Sequence, residues 1–251
     1  MKKFGLIGYP LSHSFSMKYF SDKFKKENIE DCQYLNFPID TIEKLPSLIS
    51  ENKNLIGLNV TIPYKEKVIG YLNEIDETSG KIGAVNTIKI RRVRDNYTLS
   101  GYNTDAYGFH TSIVPHIKKT HKKALILGTG GASKAIAYVF EQLGIDYIFV
   151  SRKPKKANHI SYNDITGDLM SDFRIIVNTS PLGMYPDVDK YPYIPYKYLT
   201  SDHLLYDLVY NPEMSKFLEK GSEKGAITVN GLLMLHLQAE KAWEIWNRED
   251  Q

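Results

Sequence analysis

Apolar positions along the chain follow two rhythms. "KKFGLIG" (2–8), "CQYLNFPI" (32–39) and "LIGLNVTI" (55–62) are short runs rich in β-branched and aromatic residues, and they predict strands. Between them, "SFSMKYFSDKFKKENI" places Phe15, Tyr19, Phe20 and Phe24 at helical spacing. "TIEKLPSLISEN" predicts a second helix with a proline near its start, and "KEKVIGYLNEI" a third. Strands alternating with helices predict a mostly parallel sheet covered on its faces. Asp95-Asn96 then sits between two alternating runs, which predicts a hairpin.

A second α/β block follows a seam near residues 100–106. "DAYGFHTSIVPHI" is helical, and "KKALILGTGGASKAIAYVFEQLGIDYIFVSRK" is a complete strand–turn–helix–strand. "DFRIIVNTS", "LLYDLVY" and "AITVNG" predict three more strands, with the helix "SKFLEKGSEKG" before the last. In "LLMLHLQAEKAWEIWN", Leu235, Ala239, Ala242 and Trp246 form one helical stripe.

Composition narrows the class. Hydrophobic residues are 42% and charged residues 24% of the 251, which fits a folded globular chain rather than a disordered one. The net charge of +3 is too small to point to nucleic acid or a membrane surface. The single cysteine, Cys32, excludes an internal disulfide and suits a reducing compartment. The opening apolar run breaks at Gly8-Tyr9-Pro10, too early for a signal peptide, and no run approaches a membrane span. The expectation is a cytoplasmic protein with no nucleic-acid or membrane partner.

Gly128 and Gly130 directly follow an apolar strand and precede a helix, the context of a dinucleotide turn. Glycines there let backbone N–H groups approach a pyrophosphate at the positive end of the helix. Ser133 stands at the third fingerprint position. The next strand ends in Ser151, Arg152 and Lys153, followed by Lys155 and Lys156, with no carboxylate to hold a ribose 2′-hydroxyl. Arg152 suits a 2′-phosphate instead, which predicts NADP rather than NAD. Lys153 and Lys155 are equally well read as solvated charges.

Lys65 follows a strand that Pro63 terminates, at the sheet edge where ligands of α/β folds bind. A lysine that moves a proton needs a carboxylate to position it, and Glu66, Asp76, Glu77 and Asp105 are candidates. Asp105 lies at the seam, where a cleft is expected. Thr61, Asn86, Asn103 and Thr104 add hydroxyls and amides to the same stretch, while Lys67 reads as a solvated charge. No paired-cysteine motif or helical histidine pair suggests a metal.

Together these motifs resemble the shikimate dehydrogenase family. "GYPLSHSFS" looks like its amino-terminal substrate motif and "NVTIPYK" like its catalytic-lysine motif, with "GAVNT" and "GYNTDA" at the expected spacing. "GTGGASKA", "NTSPLGM", "DLVYNP" and "NGLLMLHLQAEKAW" are similar to its later signatures. The resemblance implies a two-domain α/β enzyme. A mostly parallel α/β substrate domain, residues 1–103 plus 232–251, would face a Rossmann-type NADP-binding domain, residues 104–231, across a cleft. The implied reaction is reversible NADPH-dependent reduction of 3-dehydroshikimate to shikimate, by a monomer or homodimer acting on a small-molecule substrate.

By the same resemblance Lys65 and Asp105 would be the catalytic pair. Ser14 and Ser16 would hold the substrate carboxylate. Thr61, Asn86, Asp105, Tyr210 and Gln238 would bind ring hydroxyls or the carboxylate. Gly128, Thr129, Gly130, Gly131 and Ala132 would line the cofactor, with Ser151, Arg152, Lys153, Lys156, Thr179, Leu208 and Gly231. His13 reads as structural. The chain departs from the family after Ser16, where Met17-Lys18-Tyr19-Phe20 replaces a proline and a following His-Asn pair. It departs again at Ser151-Arg152-Lys153, where the family has Asn-Arg-Thr. The short stretch 155–172 predicts an abbreviated helix. Two alternatives remain: a quinate/shikimate dehydrogenase with broader substrate or NAD use, and a catalytically idle NADPH-binding sensor.

Overall fold

The computed structural model describes residues 1–11, 15–94 and 96–249. His13 and Ser14, and the Asp95 of the expected turn, lie outside them. The chain divides into two compact units, Met1–Thr104 with Ala239–Gln251, and Asp105–Gln238.

The first unit is built on β1 (Lys2–Gly8), α1 (Phe15–Lys26), β2 (Cys32–Pro38), α2 (Leu45–Glu51) and β3 (Leu55–Val60). β4 (Glu74–Ile75), α3 (Glu77–Ile82), β5 (Thr87–Val93) and β6 (Asn96–Tyr102) complete its sheet side. The strand order is β2-β1-β3-β5-β6-β4. β1 pairs parallel with β2 and β3, and β4 with β6, whereas β5 is antiparallel to both β3 and β6. The sheet is therefore parallel-rich but mixed, because the β5–β6 hairpin reverses direction.

Alternation along the strands separates two cores. Ile7, Leu58 and Val60 pack with Leu45, Ile49, Tyr64 and Val68 on one face. Phe4, Leu6, Phe20, Phe24 and Tyr34 pack with Ala239, Ala242 and Trp246 on the other.

The expected helix at "KEKVIGYLNEI" is instead a short 3-10 turn, Lys67–Tyr71, followed by β4. The segment is pinned at both ends. Val68 N–H bonds the Tyr64 carbonyl at 2.9 Å, and Asn73 exchanges bonds with Leu99 at 2.9 and 2.8 Å. Beyond Val68 only Ile69–Leu72 precede the Asn73 anchor, about one α-helical turn, and Gly70 adds no helical preference.

The second unit contains α4 (Thr104–Ile113, whose first residue belongs to the first unit), β7 (Lys123–Leu127), α5 (Gly131–Gln142), β8 (Asp146–Val150), β9 (His159–Ile160) and α6 (Gly167–Asp172). It continues through β10 (Ile175–Asn178), β11 (Leu204–Asp207), α7 (Lys216–Ser222) and β12 (Ile227–Val229) into α8 (Leu232–Asn247), whose last nine residues belong to the first unit. All pairs in β12-β11-β10-β7-β8-β9 are parallel. This is a Rossmann-type sheet, with strand order reversing between β7 and β10. The connection from β8 to β10 holds β9, a 3-10 turn at Tyr162–Asp164 and the six-residue α6, the abbreviated helix that the shortness of 155–172 predicts. Among the described residues no helix is long and apolar enough to cross a membrane.

Candidate functional site

In the first unit, the residues proposed from sequence gather where β1, β3 and β5 meet their loops. Thr61 N–H bonds the Ile7 carbonyl at 2.9 Å, and Tyr64 N–H closes a turn onto the Thr61 carbonyl at 2.9 Å. The Tyr64 ring is 2% exposed and its hydroxyl donates to the Ile39 carbonyl at 2.7 Å, so the residue before Lys65 is anchored in the core. The Lys65 carbonyl accepts the Val85 N–H at 2.7 Å, which fixes Lys65 beside Asn86. Lys67 is exposed, as a solvated charge would be.

Asn86 is buried, and its side chain is held in place. Its Oδ1 accepts the Thr104 N–H at 2.7 Å, and its Nδ2 donates to the Thr104 hydroxyl at 3.0 Å. A buried polar run continues from there. Asn59 Nδ2 donates to Thr87 Oγ1 at 3.3 Å, and the Tyr34 hydroxyl donates to Asn59 Oδ1 at 2.8 Å. Burial raises the Tyr34 phenol pKa strongly, and a hydrogen bond from Ser16 opposes that shift. Ser16, at the start of α1, is thus connected to Asn86 through groups that water does not reach. Asp76 caps α3 by accepting from Ser79 N–H at 3.1 Å, and Glu77 pairs with Lys81 at 2.6 Å. Both carboxylates serve α3.

In the second unit Asp105 lies in the first turn of α4 and is buried. Gln238 is also buried, its Nε2 donating to the Leu235 carbonyl at 3.0 Å. Tyr210 follows β11 half-buried, and burial raises its phenol pKa.

The residues proposed for the cofactor all follow the carboxyl ends of strands in the parallel sheet: β7 for Gly128–Ala132, β8 for Ser151–Lys156, β10 for Thr179, β11 for Leu208 and β12 for Gly231. They fit a dinucleotide. Gly128 has φ +127°, which side-chain-bearing residues rarely adopt, and a Cβ there would lie 2.6 Å from Thr179 Oγ1. Gly130 is the N-cap of the 12-residue α5 and supplies no side chain that would compete with a ligand for the first-turn N–H groups. A Cβ on Gly231 would lie 2.3 Å from the Leu208 carbonyl oxygen, so this backbone approach requires glycine.

The loop after β8 is closed by Ser151 N–H to the Ile160 carbonyl at 2.9 Å and by Lys153 N–H to Ser151 Oγ at 3.2 Å. Arg152, Lys153 and Lys156 are exposed on it. Arg152 stands near Tyr162, whose phenol is raised by burial and drawn down by the guanidinium charge.

Residues 6–88 match the family model described as the shikimate dehydrogenase substrate binding domain. A shikimate dehydrogenase (NADP(+)) of Carboxydothermus hydrogenoformans is 41% identical over 259 residues, covering 96% of this chain and 90% of the relative. The chain belongs to the shikimate dehydrogenase family. Shikimate dehydrogenase 1 of Peptoclostridium difficile matches its fold with a TM-score of 0.84 at 39% identity, over 100% of this chain and 94% of that one. The shikimate 5-dehydrogenase of Thermus thermophilus, solved in complex with NADP(H) and shikimate, matches with a TM-score of 0.84 at 28% identity, over 98% and 94%.

Sequence reasoning missed Tyr34, Asn59 and Thr87 in the first unit, and Asn178, Asp207 and Ser215 in the second. Two left a signal: Asn59 interrupts the apolar "GLNVT", and Asp207 interrupts "LLYDLVY". A polar residue at a strand position whose neighbours are all apolar announces a buried hydrogen-bond network. Among the described residues no cluster of three His, Cys, Asp or Glu could hold a metal ion.

Proposed function

We propose that the chain catalyses the reversible NADPH-dependent reduction of 3-dehydroshikimate to shikimate, in aromatic amino-acid biosynthesis. The observation that carries this reading is likeness over 96% of the chain to a relative named for that activity with NADP(+). In this reading residues 1–103 with 232–251 bind substrate, and residues 104–231 bind NADP. The cofactor, when bound, supplies the hydride. The chain's own residues do the rest.

Lys65 donates a proton to the ring oxygen that gains negative charge as the carbonyl carbon is reduced, and takes it back in the reverse direction. Asp105 orients the Lys65 ammonium and accepts from a ring hydroxyl. The commitment of Asp76 and Glu77 to α3 supports Asp105 as that carboxylate. Ser14 and Ser16 donate to the substrate carboxylate, and Thr61, Asn86, Tyr210 and Gln238 bind its other oxygens. Gly128–Ala132 receive the pyrophosphate, while Ser151, Arg152, Lys153 and Lys156 receive the 2′-phosphate side. Thr179, Leu208 and Gly231 complete the cofactor's surroundings. We assign a cytoplasmic location and a monomeric or homodimeric state that engages no nucleic acid.

Steady-state oxidation of shikimate and of quinate, each with NADP and with NAD, tests the reading. Shikimate with NADP should give the highest kcat/KM. A preference for quinate or for NAD would replace it with the broader dehydrogenase, and absence of turnover with bound NADPH would replace it with the sensor.

A further inference from the structure

Asp207 ends β11 and is completely buried, and its register partner on β10, Asn178, is completely buried as well. Asp207 Oδ1 accepts Asn178 Nδ2 at 2.9 Å and the Val209 N–H at 3.0 Å, and Oδ2 accepts the Ser215 hydroxyl at 2.5 Å. Asn178 carries the connection onward. Its Nδ2 also donates to the Leu182 carbonyl at 3.2 Å, and its Oδ1 accepts from Ser180 N–H at 3.1 Å and Ser180 Oγ at 2.7 Å. One carboxylate therefore ties the loop after β10 to the loop after β11. The first loop begins at Thr179, and the second carries Leu208 and Tyr210.

The arrangement is costly. Burying a carboxylate costs desolvation that hydrogen bonds offset only in part, and an apolar residue of similar size would serve packing better. Burial pushes the Asp207 pKa up to about 6, while the donors from Ser215, Val209 and Asn178 pull it down. Its titratable neighbour is the Tyr196 phenol, which is raised by its own burial and by the charges of Tyr191 and Asp207. The donors to Asp207 are the last residue of β10 and two residues of the segment after β11, the segments that lead into Thr179 and carry Leu208 and Tyr210.

We propose that Asp207 is a positioning residue: acting through Asn178 and Ser215, its carboxylate holds the two loops in the arrangement that binds NADP. The proposal rests on the NADP-dependent reading above. Asp207→Asn keeps the oxygen that serves Asn178 and Val209 but turns an N–H donor toward the Ser215 hydroxyl. Ser215→Ala removes the same bond and leaves the carboxylate in place.

The test is calorimetric titration of NADP into each protein from pH 7.5 to pH 5, with the folded state checked by thermal unfolding. At pH 7.5 the Kd of Asp207→Asn should rise about tenfold, the loss of one charge-assisted hydrogen bond. The ratio of variant to wild-type Kd should fall toward one as pH drops below about 6, because the wild-type carboxyl then takes up a proton itself. Taking the ratio cancels titration of the ligand's own phosphate. An unchanged Kd in folded Asp207→Asn, or a ratio constant across the pH range, would overturn the proposal and leave the NADP reading standing. If that variant does not fold, a Kd for Ser215→Ala equal to wild type overturns it. Failure of the wild-type protein to bind NADP would overturn the underlying reading instead.

Discussion

The side-chain oxygen of Asn86 accepts the backbone N–H of Thr104 at 2.7 Å. That bond fastens the end of the first unit's sheet to the residue preceding Asp105. Truncating Asn86 removes the acceptor of the buried Thr104 N–H and one partner of the Thr104 hydroxyl, which keeps Thr87 Oγ1 at 3.3 Å. Asn86→Ala should therefore lower stability by about 2 kcal/mol and raise the KM for shikimate. Urea unfolding followed by tryptophan fluorescence reads the first effect, and a midpoint equal to wild type would remove the bond from any structural role.

Lys65 and Lys67 are separated by one residue and by very different surroundings. The Lys65 backbone is held by Val85 N–H and follows the anchored Tyr64, whereas Lys67 is exposed. Lys65→Ala should abolish turnover while NADP still binds, and Lys67→Ala should leave kcat within about twofold of wild type, the usual effect of a surface change. Normal turnover in Lys65→Ala would sink the proton-transfer role.

Arg152 is exposed on the closed loop after β8. Arg152→Ala should raise the KM for NADP by about tenfold or more, the cost of a lost bidentate contact, and change the KM for shikimate little. Equal effects on both constants would contradict assignment of this side chain to the 2′-phosphate.

Two histidines of the second unit are locked in one neutral form. His121 Nδ1 accepts the Lys118 N–H at 3.0 Å and its Nε2 faces the Asp202 carbonyl at 2.9 Å. His203 Nδ1 accepts the Thr200 N–H at 3.0 Å and its Nε2 faces the Met170 carbonyl at 3.0 Å. Burial lowers both pKa values below the ordinary 6.5. A ring held neutral contributes stability that is present above pH 6.5 and lost as pH falls from there toward the lowered folded pKa. Asp207 acts with the opposite sign: its pKa rises from 3.8 to about 6, so its contribution is full below 3.8 and lost as pH rises to about 6. Comparison with His203→Gln isolates the histidine, since Asp207 is common to both proteins. Between pH 7.5 and pH 5.5 wild type should lose more stability in urea than the variant does. Parallel losses would show that His203 does not resist charging.

Much of the candidate site was legible because one rule places its residues. The residues proposed between Gly128 and Gly231 share one end of the second unit's sheet since each follows one of its parallel strands, and strands are visible as apolar runs. The glycine turn, the basic loop and the lysine after Pro63 were likewise readable one at a time. What stayed hidden depended on pairing across the sheet. Asp207 meets Asn178 only through parallel register, 29 residues away in sequence. Tyr34 meets Asn59 across the intervening β1, which the alternation of apolar positions does not reveal. The 3-10 turn at Lys67–Tyr71 was also unreadable, because its shape follows from the anchors at Tyr64 and Asn73 rather than from its own residues.

The aromatic core of the first unit joins Phe4, Phe20, Phe24 and Tyr34 to Trp243 and Trp246, whose rings approach Phe4 to 5.2 and 4.9 Å. Trp246 also donates its indole N–H to the Ile88 carbonyl at 3.0 Å. Synthesis runs from the amino terminus, so residues 1–104 are made before residues 105–238, and the part of α8 that carries Trp243 and Trp246 is made after them. Between the two parts come residues 105–238, on the order of ten seconds of elongation, with a core of their own. A chain ending before Trp243 would lack both indole rings that pack on Phe4, and with them the donor to the Ile88 carbonyl.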